Sequence, residues 1–144
     1  MSNRSISKQS REQLAYKKWI VKTLANYKAN FALQGWDIRL EQVEDKKDSI
    51  GRDLIYSINV DPRYDQAYIK IYPTSFEIWK EDKESTAYYL LHEIAHIFTE
   101  PMAEFIDPYV APAIKDIYLD IWENATQKIS VALRSNLPRT LWDH

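Results

Sequence analysis

The chain has 144 residues, of which 45% are hydrophobic and 13% aromatic, so it is long enough for a single domain with its own core. Its 19 basic and 21 acidic residues give a net charge of −2, and the lack of a basic block disfavours a nucleic-acid or membrane-surface binder. Cysteine is absent, which excludes disulfides, thiolate metal clusters and a cysteine nucleophile.

The N-terminal part of the chain predicts a flexible tail followed by a long helix. Residues 1–10 are polar and lack the apolar segment of a secretion signal, and residues 1–7, without periodic apolar residues, are predicted to be the tail. Apolar residues from Tyr16 to Phe31 then recur at spacings of three and four, which predicts an amphipathic helix over residues 8–33 with Gly35 as its C-terminal glycine. No apolar run approaches the length of a membrane span, so we expect a cytoplasmic protein with no membrane partner.

Three segments alternate between apolar and polar side chains, which is the period of a β-strand. They are residues 36–41, 54–60 and 66–72. A charged, turn-like segment that ends near residues 49–51 separates the first two strands. The short connections favour an antiparallel meander. The segment 74–84 is ambiguous, although Thr74 and Glu77 fit the start of a short helix.

The next helix carries the most informative motif of the chain, His92-Glu93-Ile94-Ala95-His96. Residues at i and i+4 leave a helix on the same face, so the two imidazoles can bind one metal ion. With a glutamate between them, they form the zinc-binding and general-base core of metalloproteases. Apolar residues at helical spacing, with Asp82 and Ser85 as N-cap candidates and Pro101 as the end, predict the helix that this chemistry requires.

The last third of the chain predicts a loop and a final helix. The segment from Pro101 to Pro112 holds three prolines and is predicted to be the loop. Beyond it, apolar residues at helical spacing continue to about Ser135, with Pro112 as a plausible first residue.

A catalytic zinc ion usually has three protein ligands, so a third donor must come from outside the motif. Glu123 is the favoured candidate, because a carboxylate on a largely apolar helix is costly to bury unless a cation accompanies it. Glu104 and Asp107 remain open if the proline-rich loop folds back. His144 is the last residue, and a frayed chain end makes a poor ligand.

His92-Glu93-x-x-His96 together with Glu123 on a following helix resembles the gluzincin type of zinc metallopeptidase, in particular its minimal versions from bacteriophages and mobile elements. The resemblance covers most of residues 12–135. It implies a zincin-like α+β fold with an N-terminal helix, a small and mainly antiparallel sheet, the motif helix, and a C-terminal helix with the third ligand. It also implies one zinc ion per chain, bound by His92, His96 and Glu123, with Glu93 as the catalytic base and a protein or peptide as substrate.

Several supporting roles stay open at the level of sequence. Asp116, Asp120 and Gln127 are candidates to orient a ligand histidine through its second ring nitrogen. The candidates to stabilise an oxyanion are Tyr109, Tyr118 and His144. A peptide substrate is expected to pair with an edge strand, for which residues 66–72 are the candidate. Two alternative functions are a non-proteolytic zinc protein and a metal-free domain with a chance motif.

Overall fold

The computed structural model describes residues 3–44 and 54–138, and these form an α+β structure. Its main elements are α1 (Asn3–Asn30), β1 (Asp37–Gln42), β2 (Tyr56–Asp61), β3 (Gln66–Ile71), α2 (Pro73–Glu81), α3 (Lys83–Ile106) and α4 (Lys115–Ser135). The α+β class and the predicted order of helix, strands, motif helix and final helix are confirmed. The predicted turn at residues 49–51 and His144 lie outside the described residues.

The three strands form a mixed sheet in the order β1-β3-β2, so the predicted antiparallel meander is wrong. Only β2 and β3 are an antiparallel pair, joined by a tight turn over residues 62–65. Strand β1 lies on the other side of β3 and runs parallel to it. The connection between β1 and β2, residues 43–55, is long enough to bypass one strand position, which a hairpin loop is not.

Helix α1 covers Asn3–Asn30 and not the predicted 8–33, so it already includes residues 3–7, which were predicted as a tail. Its C-terminus also differs from the prediction in its left-handed residue. The Leu33 amide donates to the Lys28 carbonyl at 2.9 Å, and Ala32 between them has a φ of 57°. This pattern is a Schellman motif, with Ala32 where a glycine is preferred. Gly35, predicted as that glycine, is not left-handed. The buried side chain of Leu33 fixes the turn at this earlier position.

The motif helix α3 begins as predicted and ends later than predicted. The Asp82 side chain caps it by accepting a hydrogen bond from the Ser85 amide at 3.0 Å. The sequence predicts an end at Pro101, but the helix continues through Pro101 to Ile106, so residues 101–106 are not loop. The last turns of α3 pack against α4, where Tyr118 Oη donates to the Ala103 carbonyl at 3.0 Å. This packing outweighs the hydrogen bond that a proline removes from a helix.

The core lies between one face of the sheet and the helices. Along β3 the residues that face the helices are buried, whereas Tyr68 and Lys70 on the other face are exposed. The central part of α3 contributes Leu90, Leu91 and Ile94, all at most 1% exposed, to this core. The motif helix is therefore anchored by its apolar face, and its histidines leave it toward α4. No helix in the described part of the chain is long and apolar enough to span a bilayer.

Three tyrosines bury their hydroxyl groups in this core. Tyr16 Oη lies 2.6 Å from Tyr56 Oη and donates to Ser75 Oγ at 2.5 Å. Tyr27 Oη donates to the Ala87 carbonyl at 2.7 Å. Burial disfavours the tyrosinate form, so it raises the pKa of Tyr16 to about 12 and also raises the pKa of Tyr27 and of Tyr56.

We expect the free energy of unfolding to fall steeply as the pH rises from 10 toward 12. In this window the folded protein keeps the Tyr16 proton, whereas the unfolded chain releases it near pH 10, so rising pH favours unfolding. At about 1.36 kcal/mol per pKa unit, Tyr16 accounts for a loss of roughly 3 kcal/mol across the window. Urea unfolding at several pH values measures the slope. Tyr16→Phe should flatten it and Tyr64→Phe, at an exposed position, should not; equal slopes in all three proteins would contradict the assignment.

Candidate metal centre

Helices α3 and α4 form an antiparallel hairpin that brings the predicted ligands together. Along the hairpin, His92 lies opposite Gln127, His96 opposite Glu123, and Ala103 opposite Tyr118. A buried hydrogen bond of 2.9 Å between the hydroxyls of Thr99 and Thr126 also links the two helices. These pairs fix the register of α4 against the motif helix, so the position of Glu123 follows from helix packing.

His92, His96 and Glu123 converge on a small volume between the helices. Their ligand atoms all lie within 4.8 Å of one another, which is a separation that one metal ion can bridge. Glu123 Oε1 is 2.6 Å from His92 Nε2, and Glu123 Oε2 is 3.6 Å from His96 Nε2. The two rings meet nearly edge to face, at 85°, so their Nε2 atoms approach the carboxylate from different directions. The arrangement can hold a metal ion with two imidazoles and one carboxylate.

Gln127 orients the first histidine. His92 Nδ1 lies 2.7 Å from Gln127 Oε1, and a proton on Nδ1 would donate this hydrogen bond and leave the Nε2 lone pair for a metal ion. Gln127 follows Glu123 by one helical turn, so both side chains leave α4 on the same face. Of the three residues predicted for this role, Gln127 has it. Asp116 and Asp120 are exposed and lie toward the other end of the hairpin.

Gln127→Ala should lower the affinity of the site for zinc about 10- to 100-fold, the usual effect of removing a residue that orients a ligand histidine. The fold should be retained, because Gln127 is exposed and its side chain is hydrogen-bonded to His92. Competition with a chromophoric chelator would measure the change. Asn124→Ala, also exposed on α4, serves as the control. Equal affinities for both variants would show that Gln127 does not hold the ring.

The electrostatics of the motif differ between its glutamate and its second histidine. Burial raises the pKa of the Glu93 carboxyl to about 8, and the nearby negative charge of Glu123 adds to the rise. Burial also lowers the pKa of His96, which favours the neutral imidazole that a metal requires. A cation held by the cluster would oppose both causes of the Glu93 shift, since it stabilises the carboxylate and offsets the charge of Glu123.

The remaining predicted candidates lie away from the cluster. Because α3 continues to Ile106, the segment around Glu104 and Asp107 does not fold back toward the histidines. Asp107 is instead paired with Lys115. The Tyr118 hydroxyl donates its hydrogen bond to the Ala103 carbonyl, and the Tyr109 side chain is 83% exposed. Neither tyrosine contacts the three ligands, and the predicted assignment of an oxyanion donor is not supported at either position.

The prediction of an edge strand that pairs with the substrate is also wrong. Strand β3, which corresponds to residues 66–72, is the central strand, and its main-chain groups pair with β1 and β2 on its two sides. An added peptide strand would therefore have to pair with β1 or β2. The period-two pattern predicts the faces of a strand, but it does not predict which strands lie at the edges.

Two residues of the site region were missed at the level of sequence. Trp122 packs edge-on against His96, with ring centroids 5.3 Å apart, and so covers one side of the cluster. Arg134 lies in the same groove beyond Gln127. The spacing of Glu123, Gln127 and Arg134, four and then seven residues, places all three on one face of α4. This spacing is visible in the sequence, and it could have indicated Arg134.

Comparisons with known proteins give no match, so a functional assignment rests on the geometry of the site. The site consists of two imidazoles, one carboxylate, a histidine-orienting amide and a half-buried glutamate next to the first histidine. Neither a protein-family model, nor a curated protein, nor a solved structure matches this chain.

Proposed function

We propose that this protein is a zinc-dependent peptidase of the gluzincin-like type with a zincin-like fold. In this proposal His92, His96 and Glu123 bind one zinc ion, and Glu93 is the general base. The observation that carries the proposal is the convergence of the two motif histidines with a glutamate from a different helix.

The donor set suits zinc better than the other common divalent ions. Magnesium and calcium prefer sites made of oxygen atoms, whereas zinc binds imidazole nitrogen and carboxylate oxygen in sets of three when a fourth position serves catalysis. Ligand atoms about 2.1 Å from a tetrahedral ion lie roughly 3.4 Å from one another. The His96–Glu123 distance of 3.6 Å is close to this value. His92 Nε2 and Glu123 Oε1, which are 2.6 Å apart, would have to separate by about 0.8 Å, and the 53% exposed Glu123 side chain permits this movement.

Zinc at this site would lower the pKa of a water molecule to about 7 and polarise a peptide carbonyl. Residues of the chain would supply the remaining catalytic roles. Glu93 leaves the helix about 100° from His92, so it does not belong to the ligand set, but its carboxyl is close enough for the charge of Glu123 to act on it. Its carboxylate can accept the proton of the attacking water and pass it to the leaving amine. Trp122 and the groove walls limit the access of bulk water to His96.

Digestion of a peptide library with zinc-loaded and with metal-free protein tests the proposal. The zinc-loaded protein should contain one zinc ion per chain and cleave internal or terminal peptide bonds, while the metal-free protein should not. His92→Ala combined with His96→Ala should lose both zinc and cleavage. Stoichiometric zinc without any cleavage would instead support a non-proteolytic zinc protein, and unchanged zinc content in the double variant would exclude this site altogether.

A further inference from the structure

A cavity of about 320 Å³ adjoins His92 in the groove between α3 and α4. Two aromatic residues from α3, Tyr88 and Tyr89, form one wall, and Gln127 and Arg134 from α4 form the other. The cavity shares His92 and Gln127 with the candidate metal centre. The cavity therefore begins beside the candidate metal centre.

The charged group of this cavity is the guanidinium of Arg134. Its central carbon lies 3.5 Å from the centroid of the Tyr88 ring, so the guanidinium stacks on the aromatic face. The ring is itself held by Tyr88 Oη, which donates to Glu84 Oε1 at 2.5 Å. Within residues 3–44 and 54–138, none of the ion pairs includes Arg134. Arg134 also makes a side-chain hydrogen bond with Tyr88, and a guanidinium has five N–H donors, so other donors remain that can match a carboxylate with two parallel hydrogen bonds.

The distance from the metal centre limits what can reach Arg134. Tyr88 precedes His92 by one helical turn, which is about 6 Å along the axis of α3. An extended peptide advances about 3.3 Å per residue, so two residues span this distance. The group that Arg134 binds would then lie within about two residues of the bond at the metal.

We propose that Arg134 and the adjoining cavity form a subsite for a carboxylate of the peptide substrate. The carboxylate is either the C-terminus of the peptide or the side chain of a glutamate or aspartate within two residues of the cleaved bond. This inference rests on the proposed peptidase function, and it adds the substrate class, since it selects for acidic peptides or short C-terminal segments. Apolar residues of the substrate would contact Tyr88 and Tyr89.

Arg134 also lies in the last turn of α4, where a cation stabilises the helix through its dipole. That role alone would change stability and leave substrate preference unaffected. The test therefore needs substrates that differ only in the presence of the carboxylate, together with variants that separate charge at this position from charge elsewhere on α4.

The test uses acetylated octapeptide pools in matched pairs, with a free or an amidated C-terminus, and with glutamate or glutamine inside. Zinc-loaded wild type should cleave the carboxylate member at least about tenfold more efficiently than its uncharged partner, since a charge-assisted hydrogen bond is worth this much. Arg134→Gln should lose the preference mainly through KM, and Arg134→Lys should keep part of it. Lys128→Gln, an exposed charge on the same helix, should behave as wild type. The two kinds of pair distinguish a C-terminal from a side-chain carboxylate.

Wild-type cleavage without a preference for carboxylates, or a preference that survives in Arg134→Gln, would overturn the subsite and leave the peptidase proposal intact. If no peptide is cleaved, the peptidase proposal fails instead, and binding decides the subsite. For that case the probes are N-acetyl-alanyl-alanine and its amide, titrated into the zinc-loaded protein by NMR. Binding of the acid that Arg134→Gln weakens at least about tenfold supports the subsite, and binding that is equal for acid and amide refutes it.

Discussion

Replacing Glu93 by glutamine should remove peptide hydrolysis while the protein still binds one zinc ion. Glutamine has nearly the same size as glutamate but cannot accept the proton of the attacking water, and general base catalysis typically contributes about 10²- to 10⁴-fold to a rate. The side chain is not one of the three converging ligands, so the metal should remain bound. Initial rates on a cleaved library peptide, with metal analysis of the same samples, measure both quantities.

Glu81→Gln is the matched control, because it removes one carboxylate at an exposed position at the end of α2. It should keep the wild-type rate. Since burial raises the pKa of Glu93, the uncharged glutamine is expected to leave the fold at least as stable as in wild type. Equal cleavage by Glu93→Gln and wild type would show that the hydrolysis comes from a contaminant or from another residue.

Replacing Glu123 by glutamine should weaken zinc binding by about one order of magnitude or more, because it removes the charged ligand. The backbone of α4 should not change, since Glu123 is largely exposed and its contacts lie in the site. Zinc is titrated into the metal-free protein in the presence of a chromophoric chelator, and the competition between chelator and protein measures the affinity. The loss of metal should lower the activity in the same proportion at limiting zinc.

Glu104→Gln provides the comparison, because it makes the same charge change on α3 outside the cluster. Its zinc affinity should equal that of wild type. The opposite result, with weak binding in Glu104→Gln and normal binding in Glu123→Gln, would assign the third ligand to the end of α3 and would remove the resemblance to gluzincins.

The residues of the candidate metal centre could be predicted from the sequence more completely than the order of the strands, because helical spacing and strand alternation carry different information. The spacing of His92 and His96 states directly that two imidazoles share a helical face, and no tertiary contact is needed to infer it. Glu123 was predicted as the third ligand from the chemistry of zinc sites, because few acidic residues lie on the predicted helix after the motif. The spacing of residues within a strand does not show which other strand pairs with it. An alternating strand has the same pattern whether its neighbour is parallel or antiparallel, so β1-β3-β2 could not be separated from a meander.

The direction of α4 explains why Gln127 could not be chosen among its rivals from sequence. Asp120 and Gln127 lie one turn before and one turn after Glu123, so both share its face. Only the antiparallel packing of the hairpin decides between them, because moving toward the start of α3 means moving toward the end of α4. The end of α3 was unpredictable for a related reason. The cost of a proline inside a helix is local, whereas the contacts of Ala103 that offset it depend on α4.

The position of Glu123 on α4 would couple metal binding to the docking of a whole helix. The buried residues of α4 are Thr126 and Ser130, two small hydroxyl side chains, whereas α3 buries ten residues, most of them apolar. Local unfolding of α4 is therefore expected to need much less free energy than unfolding of the core, and its amides should exchange with solvent first. A ligand that binds only the docked form at 100 times its Kd adds about 2.7 kcal/mol to the cost of this opening. Zinc concentration would thus control the exchange rates of α4 and leave those of the sheet almost unchanged.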